Sequence, residues 1–445
     1  MRWSDRLARL PAKMTAHLSL LRHDPERFAR NILQFTNPAL FEERLIDIMN
    51  AKPMHVRIDP ALAGRPTLNV LNSALTPSGM TGGPNTIINL ALRIARAGVP
   101  VRLMTTVETS DITPEWFARH ATQLVGGTLP DVPIVSAADP DRPFPIGPHD
   151  IFMATHWSTA QQLKDVLPRM AQRQFFYMLQ EFEPAFYAWS SNYALALETF
   201  GLDFWPIFNE QVLADYMLGQ PLGRFADPVM RERAIVFEPA IEERLFHPPT
   251  TPQAPRPKRL LFYARPTNTR NVFGLALTAL RQASANPEFQ GWEFLSIGSR
   301  GSVPDMALGG GHRLRPAPWM DYNGYAASLR EADVLLCPML SPHTSYPVLE
   351  MAACGGLSVT NTFATKTPDT FRVLSDNVLA VEPTITAMAA ALVNAATRIN
   401  AGHERLAPLH MARDWADTLD PVAAKMEKIF GSLSHAPIPA AQPAF

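Results

Sequence analysis

Ser341-Pro342-His343-Thr344-Ser345-Tyr346-Pro347-Val348-Leu349-Glu350-Met351-Ala352-Ala353-Cys354-Gly355-Gly356-Leu357-Ser358-Val359-Thr360-Asn361 reads as a polar loop, a short helix, a double-glycine stop and a β-branched strand. Pro347 suits the first helical turn, where the N–H it lacks would have no intrahelical partner. Gly355 suits the left-handed stop. The peptide N–H groups at such a helix start carry the positive end of the helix dipole and attract phosphate. Glu350 lies about one turn inside and is the only acidic residue between Asp333 and Asp369. A lone carboxylate beside a phosphate-binding helix start suits the paired hydroxyls of a sugar. The stretch therefore reads as a sugar-nucleotide site.

Working outward, the second half of the chain alternates strands and helices. The strand Arg259 to Ala264 opens it, and a helix follows near Phe273 to Ala283. The strand Trp292 to Ile297, the helix Tyr322 to Glu331, the strand Val334 to Cys337 and the opening motif complete the alternation. The prolines between Pro248 and Pro257 mark a linker before it. Upstream, the strand Leu68 to Leu75, a glycine-containing loop from Thr76 to Gly83, a helix from Pro84 to Ala97 and the strand Val101 to Thr105 make a βαβ unit and imply a parallel sheet. Further strand patterns fall at Ile134-Val135, Ile151 to Ala154, Phe175 to Leu179, Phe204 to Phe208 and Ala234 to Glu238. The expected class is α/β, as two doubly wound halves, with ligand in the cleft at the carboxyl ends of the strands. The expected divisions are a helical extension (1–60), a first half (61–240), a second half (241–400) and a C-terminal helix with a loose tail (401–445). Within the extension, helices are expected at Pro25 to Gln34 and Ala39 to Met49.

The 445 residues exceed one ordinary core, and two domains of about 150–200 residues are the default. A formal net charge of −1 gives no electrostatic case for a nucleic acid. The first thirty residues hold seven Arg or Lys against three Asp or Glu, so a membrane-surface or assembly-complex contact stays open beside a solvated helix face. Cys337 and Cys354 lack any zinc-ligand spacing and read as buried thiols in a reducing compartment. Without a secretory h-region or an eighteen-residue apolar run, a cytoplasmic protein is expected.

Several motifs carry chemistry, each beside a plainer reading. Gly82-Gly83-Pro84 follows the first strand and lets backbone approach a ligand closely, or is merely a tight turn. Its spacing is not GxGxxG, which weakens a nicotinamide reading. Arg265 and Arg270 flank the matching loop of the second half, where guanidinium groups suit diphosphate oxygens. His156, just past an apolar strand end, could hydrogen-bond a sugar or act as acid or base. Glu181 and Glu183 follow another strand and could face the cleft or remain solvated. Asp139-Pro140-Asp141 is formally a metal-binding triplet, but proline and aspartate are ordinary turn residues. No metal is expected. His343 could meet phosphate or cap its loop, and Trp319, Tyr322 and Tyr325 could stack on a base or simply pack.

These residues resemble a known family. The run Ser345 to Val359 resembles the signature of GT-B glycosyltransferases of the retaining, glycogen-synthase-like superfamily. Phe262-Tyr263-Ala264-Arg265-Pro266, Ser341-Pro342-His343 with Ser345-Tyr346-Pro347, and Ala154-Thr155 with Trp157-Ser158-Thr159-Ala160 are similar to bacterial WsaF-type rhamnosyltransferases of rhamnan and S-layer glycan assembly. The resemblance spans roughly residues 65 to 385 and is more specific in the second half. It implies two Rossmann-like domains facing a cleft, the first for acceptor and the second for the nucleotide-sugar donor. It further implies that Glu350 binds ribose, Arg265 and Arg270 take the diphosphate, and Ser345 and Tyr346 help at the phosphates. Gly82 and Gly83 would close over them, with His156 near the transferred sugar. One departure stands out: the superfamily's first glutamate falls on Pro342, beside His343.

The expectation is then transfer of a sugar, L-rhamnose from dTDP-L-rhamnose by preference, to a bacterial polysaccharide or glycan acceptor, free or lipid-linked. His156 and Glu181 are the candidate catalytic groups, and the donor is a substrate, so no cofactor is expected. Two alternatives remain. One is a GT-B-shaped transferase or epimerase using another nucleotide sugar. The other is a non-catalytic glycan-assembly scaffold, kept open by the departure at Pro342.

Overall fold

Strands dominated by Val, Leu, Ile and Phe, buried on both faces, alternate with amphipathic helices along the chain. The computed structural model describes residues 52–80, 82–250, 255–299, 304–406 and 409–435. The helices expected at 25–34 and 39–49 lie outside them. The first half runs β1 (Val56–Ile58), β2 (Leu68–Asn72), α1 (Gly82–Arg96), β3 (Val101–Thr105), α2 (Pro114–Val125), β4 (Ile134–Ser136), β5 (Phe144–Ile146), β6 (Ile151–Ala154) and α3 (Trp157–Val166). It continues through β7 (Phe175–Leu179), α4 (Ser191–Glu198), β8 (Phe204–Phe208), α5 (Gln211–Leu218), α6 (Val229–Arg233) and β9 (Ile235–Val236). The second half comprises β10 (Arg259–Tyr263), α7 (Phe273–Ser284), β11 (Glu293–Ile297), β12 (Met306–Ala307), β13 (Arg313–Pro316), α8 (Tyr322–Glu331) and β14 (Val334–Leu336). After these come α9 (Tyr346–Ala353), β15 (Leu357–Asn361), α10 (Pro368–Leu374), β16 (Val378–Val381), α11 (Ile385–Asn400) and α12 (Trp415–Ser434).

Each half is built on a seven-stranded sheet, in the orders β4-β3-β2-β6-β7-β8-β9 and β12-β13-β11-β10-β14-β15-β16. All pairs in the first are parallel, and in the second only β12 with β13 is antiparallel. Strand order reverses between β2 and β6 and again between β10 and β14. At such a reversal neighbouring crossovers leave on opposite faces, so a crevice opens beyond the strand ends. Four apolar clusters fill the two faces of the two sheets.

Gly355 ends α9 at φ 76°, as the opening stretch implied, and the fit is tight. A Cβ there would meet the Arg405 backbone at 2.8 Å. Two boundaries need correction. The helical extension was expected to reach residue 60, but Val56–Ile58 is a strand paired in parallel with β5. The first helix begins at Gly82 rather than at Pro84, so the two glycines belong to its first turn. The short strands β5, β12, β13 and β16 were not foreseen. α12 returns to the first half, where Leu419, Val422, Met426 and Phe430 join the core beneath α1 and Asp420 pairs with buried Arg93. From Pro53 onward the described residues form one compact unit.

Candidate functional site

His156, Glu181, Glu210 and Arg265 stand in one register: each lies two residues past the end of its strand, β6, β7, β8 and β10 respectively. Parallel strands deliver all of these positions to the carboxyl edge of their sheets. The two edges meet directly. Ser341 Oγ donates to Glu181 at 2.9 Å, Asn209 Nδ2 donates to Tyr346 Oη at 3.2 Å, and Thr365 Oγ1 donates to the Val212 carbonyl at 2.8 Å. The loop carrying Arg270 is tied to the segment after β14 as well, since Leu340 N donates to Arg270 O at 2.8 Å.

The first half contributes carboxylates. Glu181 faces Arg270 Nε at 3.5 Å and His343 Nδ1 at 3.8 Å. Burial raises its pKa, while Arg270, Ser341 and Lys366 pull it down. Glu210 accepts from Thr344 N at 2.8 Å and from Thr344 Oγ1 at 2.7 Å, with His343 Nε2 at 3.1 Å. Burial pushes it up to about 8 against the pull of the Thr344 hydrogen bonds. Glu183 turns back into its own half and accepts the Trp157 N–H at 2.6 Å, fixing the first turn of α3. Burial pushes Glu183 up to about 8, and Glu181 nearby adds to the rise.

That turn positions His156, which caps α3: its Nδ1 accepts from Ser158 N at 3.3 Å and lies 2.8 Å from Ser158 Oγ. Burial lowers its pKa to about 4, so the ring is neutral and can donate or accept a hydrogen bond at physiological pH. Gly83 lies against Gln180 at the end of β7, where a Cβ would approach the amide nitrogen to 3.2 Å. Gly83 thus sits beside the residue that leads into Glu181, while a Cβ at Gly82 would meet nothing within 4 Å.

The second half contributes cations. Arg270 lies 4.4 Å from the Phe186 ring centre, and its buried Nε makes no hydrogen bond. Arg265 lies over the Tyr263 ring at 6.0 Å, with no carboxylate within 4 Å among the described residues. The Tyr263 phenol is raised by burial, lowered by Arg265 and raised by Glu350, so both charges stand close to it. Glu350 is 5% exposed and accepts from Tyr325 Oη at 2.7 Å and Tyr322 Oη at 3.4 Å. Burial pushes it up to about 7. Lys366 is fully buried, donates to Met339 O at 2.6 Å, and is lowered to about 8 by desolvation.

The loop into α9 is shaped by Ser345, which takes φ 75° without being glycine. Its N–H turns back to His343 Nδ1 at 2.9 Å, so the His343 proton resides on Nε2, toward Glu210. Burial holds His343 down at about 3, and it stays neutral. The Tyr346 hydroxyl crosses to Asn209 of the first half.

Two domain models of one family match the chain in order, the WsaF N-terminal domain over residues 67–210 and the WsaF C-terminal domain over residues 258–393. The chain belongs to the WsaF family of GT-B glycosyltransferases. Among curated proteins it is 34% identical over 259 residues to the O-antigen biosynthesis protein RfbC of Myxococcus xanthus, covering 55% of this chain but only 18% of that relative. Among solved structures, sucrose-phosphate synthase from Thermosynechococcus elongatus superposes with a TM-score of 0.50 at 14% identity, covering 83% of this chain and 96% of the other. An OtsA apo structure gives 0.50 at 13%, covering 84% and 100%. At such identities the likeness speaks for the fold alone, and the fold is GT-B.

The WsaF-family matches end at Asn-Glu210 and begin again at Lys258, so both contain the strand ends just described. The structure brings His156, Glu181, Arg270, His343, Ser345 and Tyr346 to the meeting edges, with Arg265 and Glu350 around Tyr263. The departure at Pro342 acquires a context: Glu181 of the facing half reaches the two residues that flank it, Ser341 and His343. Asp139 and Asp141 form a turn, Asp141 N donating to Asp139 Oδ1 at 2.9 Å. Both cysteines are buried and free, each thiol pushed up to about 12 by burial. Among the described residues no helix is long and apolar enough to cross a membrane. Sequence reasoning missed Glu210 and Lys366. The first was detectable by the two-past-the-strand register it shares with Glu181. The second is the only charged residue between Glu350 and Asp369.

Proposed function

We propose that this chain is a glycosyltransferase of polysaccharide or O-antigen assembly that transfers a sugar from a nucleotide donor to a glycan acceptor. The preferred donor is dTDP-L-rhamnose, the configuration is retained, no metal takes part, and the reaction runs in the cytoplasm. The observation that carries this reading is the grouping of Arg265, Arg270 and the start of α9 on one edge, with buried Glu350 within the same aromatic surround. Arg265 and Arg270 would hold the diphosphate, and Glu350 would take the pentose hydroxyl of the nucleoside, the 3′-hydroxyl of the deoxyribose in dTDP.

When the glycosidic bond to the diphosphate breaks, negative charge grows on the leaving oxygen, and fixed guanidinium groups in a water-poor crevice stabilise it. Neutral His156 would hydrogen-bond the transferred sugar. Glu181, held between Arg270 and Ser341, would orient the acceptor hydroxyl from the facing half. The name of the Myxococcus relative, an O-antigen biosynthesis protein, supports a polysaccharide acceptor.

Calorimetric titration of nucleoside diphosphates against wild type and Glu350→Ala tests the site. Affinity is expected to fall about tenfold or more in the variant, near 1.4 kcal/mol. Equal affinities would remove the ribose role. Product analysis with a panel of nucleotide sugars tests the donor, and glycan binding without any turnover would favour the scaffold reading.

A further inference from the structure

Trp189 is 94% exposed, the most exposed large hydrophobic side chain among the described residues. An isolated exposed apolar group is ordinary, but the setting of this one is not. It lies within Pro184–Leu197, a stretch without a single Asp, Glu, Lys, Arg or His. The same segment enters the candidate site three residues earlier. Phe186 lies under the Arg270 guanidinium and stacks on the His156 ring at 6.4 Å and 19°. Tyr187 is fixed edge-on against Trp157 and accepts the indole N–H at 3.0 Å. On the other side Ser190 caps α4, accepting from Tyr193 N at 3.4 Å. The indole of Trp189 is therefore held out between two anchored points, at most about 10 Å of chain from Phe186.

A pyranose presents a C–H face that packs on an aromatic plane and a rim of hydroxyls that hydrogen-bond to neutral polar groups. The loop supplies both kinds of group, in Trp189 and in Ser190 and Ser191. An anionic lipid surface or a nucleic acid would require Lys or Arg here. We propose that the loop from Phe186 to Asn192 is the acceptor-glycan subsite, and that Trp189 is the platform on which a sugar unit beside the transfer position packs. This rests on the glycosyltransferase reading.

The test uses a neutral rhamnose oligosaccharide as probe, with dTDP-L-rhamnose as donor, on wild type, Trp189→Ala and Trp189→Phe. The acceptor KM is expected to rise about tenfold in Trp189→Ala, the effect of losing one aromatic anchor. The kcat and the affinity for dTDP should not change, and Trp189→Phe should recover part of the loss. The oligosaccharide should also shift the tryptophan fluorescence of wild type and not that of Trp189→Phe. An unchanged acceptor KM with no fluorescence difference overturns the proposal. So does a Trp189→Ala variant that loses only binding to phosphatidylglycerol vesicles, or only self-association in sedimentation. Failure of the wild type to bind dTDP would instead sink the underlying transferase reading, leaving the fluorescence titration to decide the glycan subsite.

Discussion

The strand ends of the two halves carry opposite charge. Beyond β7 and β8 the first half places Glu181, Glu183 and Glu210; beyond β10 and β15 the second half places Arg265, Arg270 and Lys366. A formal net charge of −1 for the whole chain conceals this segregation completely. The contrast has a mechanical side, because Glu181 and Glu210 hydrogen-bond to Ser341 and Thr344 on the far edge. It has a chemical side as well: a diphosphate belongs with the guanidinium groups, and an acceptor hydroxyl belongs with the carboxylates. Arg270 is where the two sides touch, through Glu181 at 3.5 Å.

Arg270→Ala should therefore break the contrast most severely. Turnover of nucleotide sugar is expected to fall about 10²–10³-fold, as when one donor to a developing anion is removed. Arg270→Lys should recover part of that loss, since it keeps the charge without the planar fork. Steady-state kinetics with a fixed acceptor would measure both. If both variants turn over like wild type, the opposed charges serve packing alone.

The architecture was legible where strands were long and buried on both faces. Ile151–Ala154, Phe175–Leu179 and Phe204–Phe208 have the bounds read from apolar runs alone. The strands that escaped, β1, β5, β12, β13 and β16, have two to four residues each, too few to establish a period, and none lies in a sheet centre. In the site, residues beside a glycine turn or a strand end could be found because local pattern marks them. The pairings could not. That Glu210 meets Thr344, or that Glu181 flanks the position occupied by Pro342, depends on two domains docking across more than a hundred residues of sequence. The return of α12 to α1 is equally non-local.

Within the first half, Glu183 sharpens the comparison, because it is a carboxylate of the same edge on which burial outweighs the pull of the Trp157 N–H and of Arg270. Its pKa rises from an ordinary 4.5 to about 8 in the folded chain, mainly through burial. Between those values the folded state keeps a proton that the unfolded chain has released. Its contribution to stability is then full below the unfolded value and is lost as pH rises through the folded one. Glu183→Gln cannot titrate, and its amide oxygen can still accept the Trp157 N–H. Thermal unfolding from about pH 5 to about pH 9 should show the variant gaining on wild type as pH rises. Parallel profiles would mean that Glu183 is ionised and paired like a surface carboxylate.

The smallest expected effect concerns the one carboxylate on the cationic edge. Glu350 is held by two tyrosines of unequal grip, Tyr325 at 2.7 Å and Tyr322 at 3.4 Å. Tyr322 is 44% exposed as a residue, so its side chain has open solvent to turn into when it leaves. A pentose hydroxyl arriving at Glu350, the 3′-hydroxyl in dTDP, needs an acceptor site on the carboxylate, and the weaker partner is the one it can displace at little cost. Tyr322→Phe should change dTDP affinity by no more than about twofold, because the lost hydrogen bond contributes under about 0.5 kcal/mol in the free protein. Tyr325→Phe removes the bond that orients the carboxylate and should weaken binding about fivefold, close to 1 kcal/mol. Calorimetry on the two variants ranks them directly. The reverse ranking would place the ribose on the Tyr325 side, and the exposed tyrosine would then be the group that holds Glu350 in the bound state.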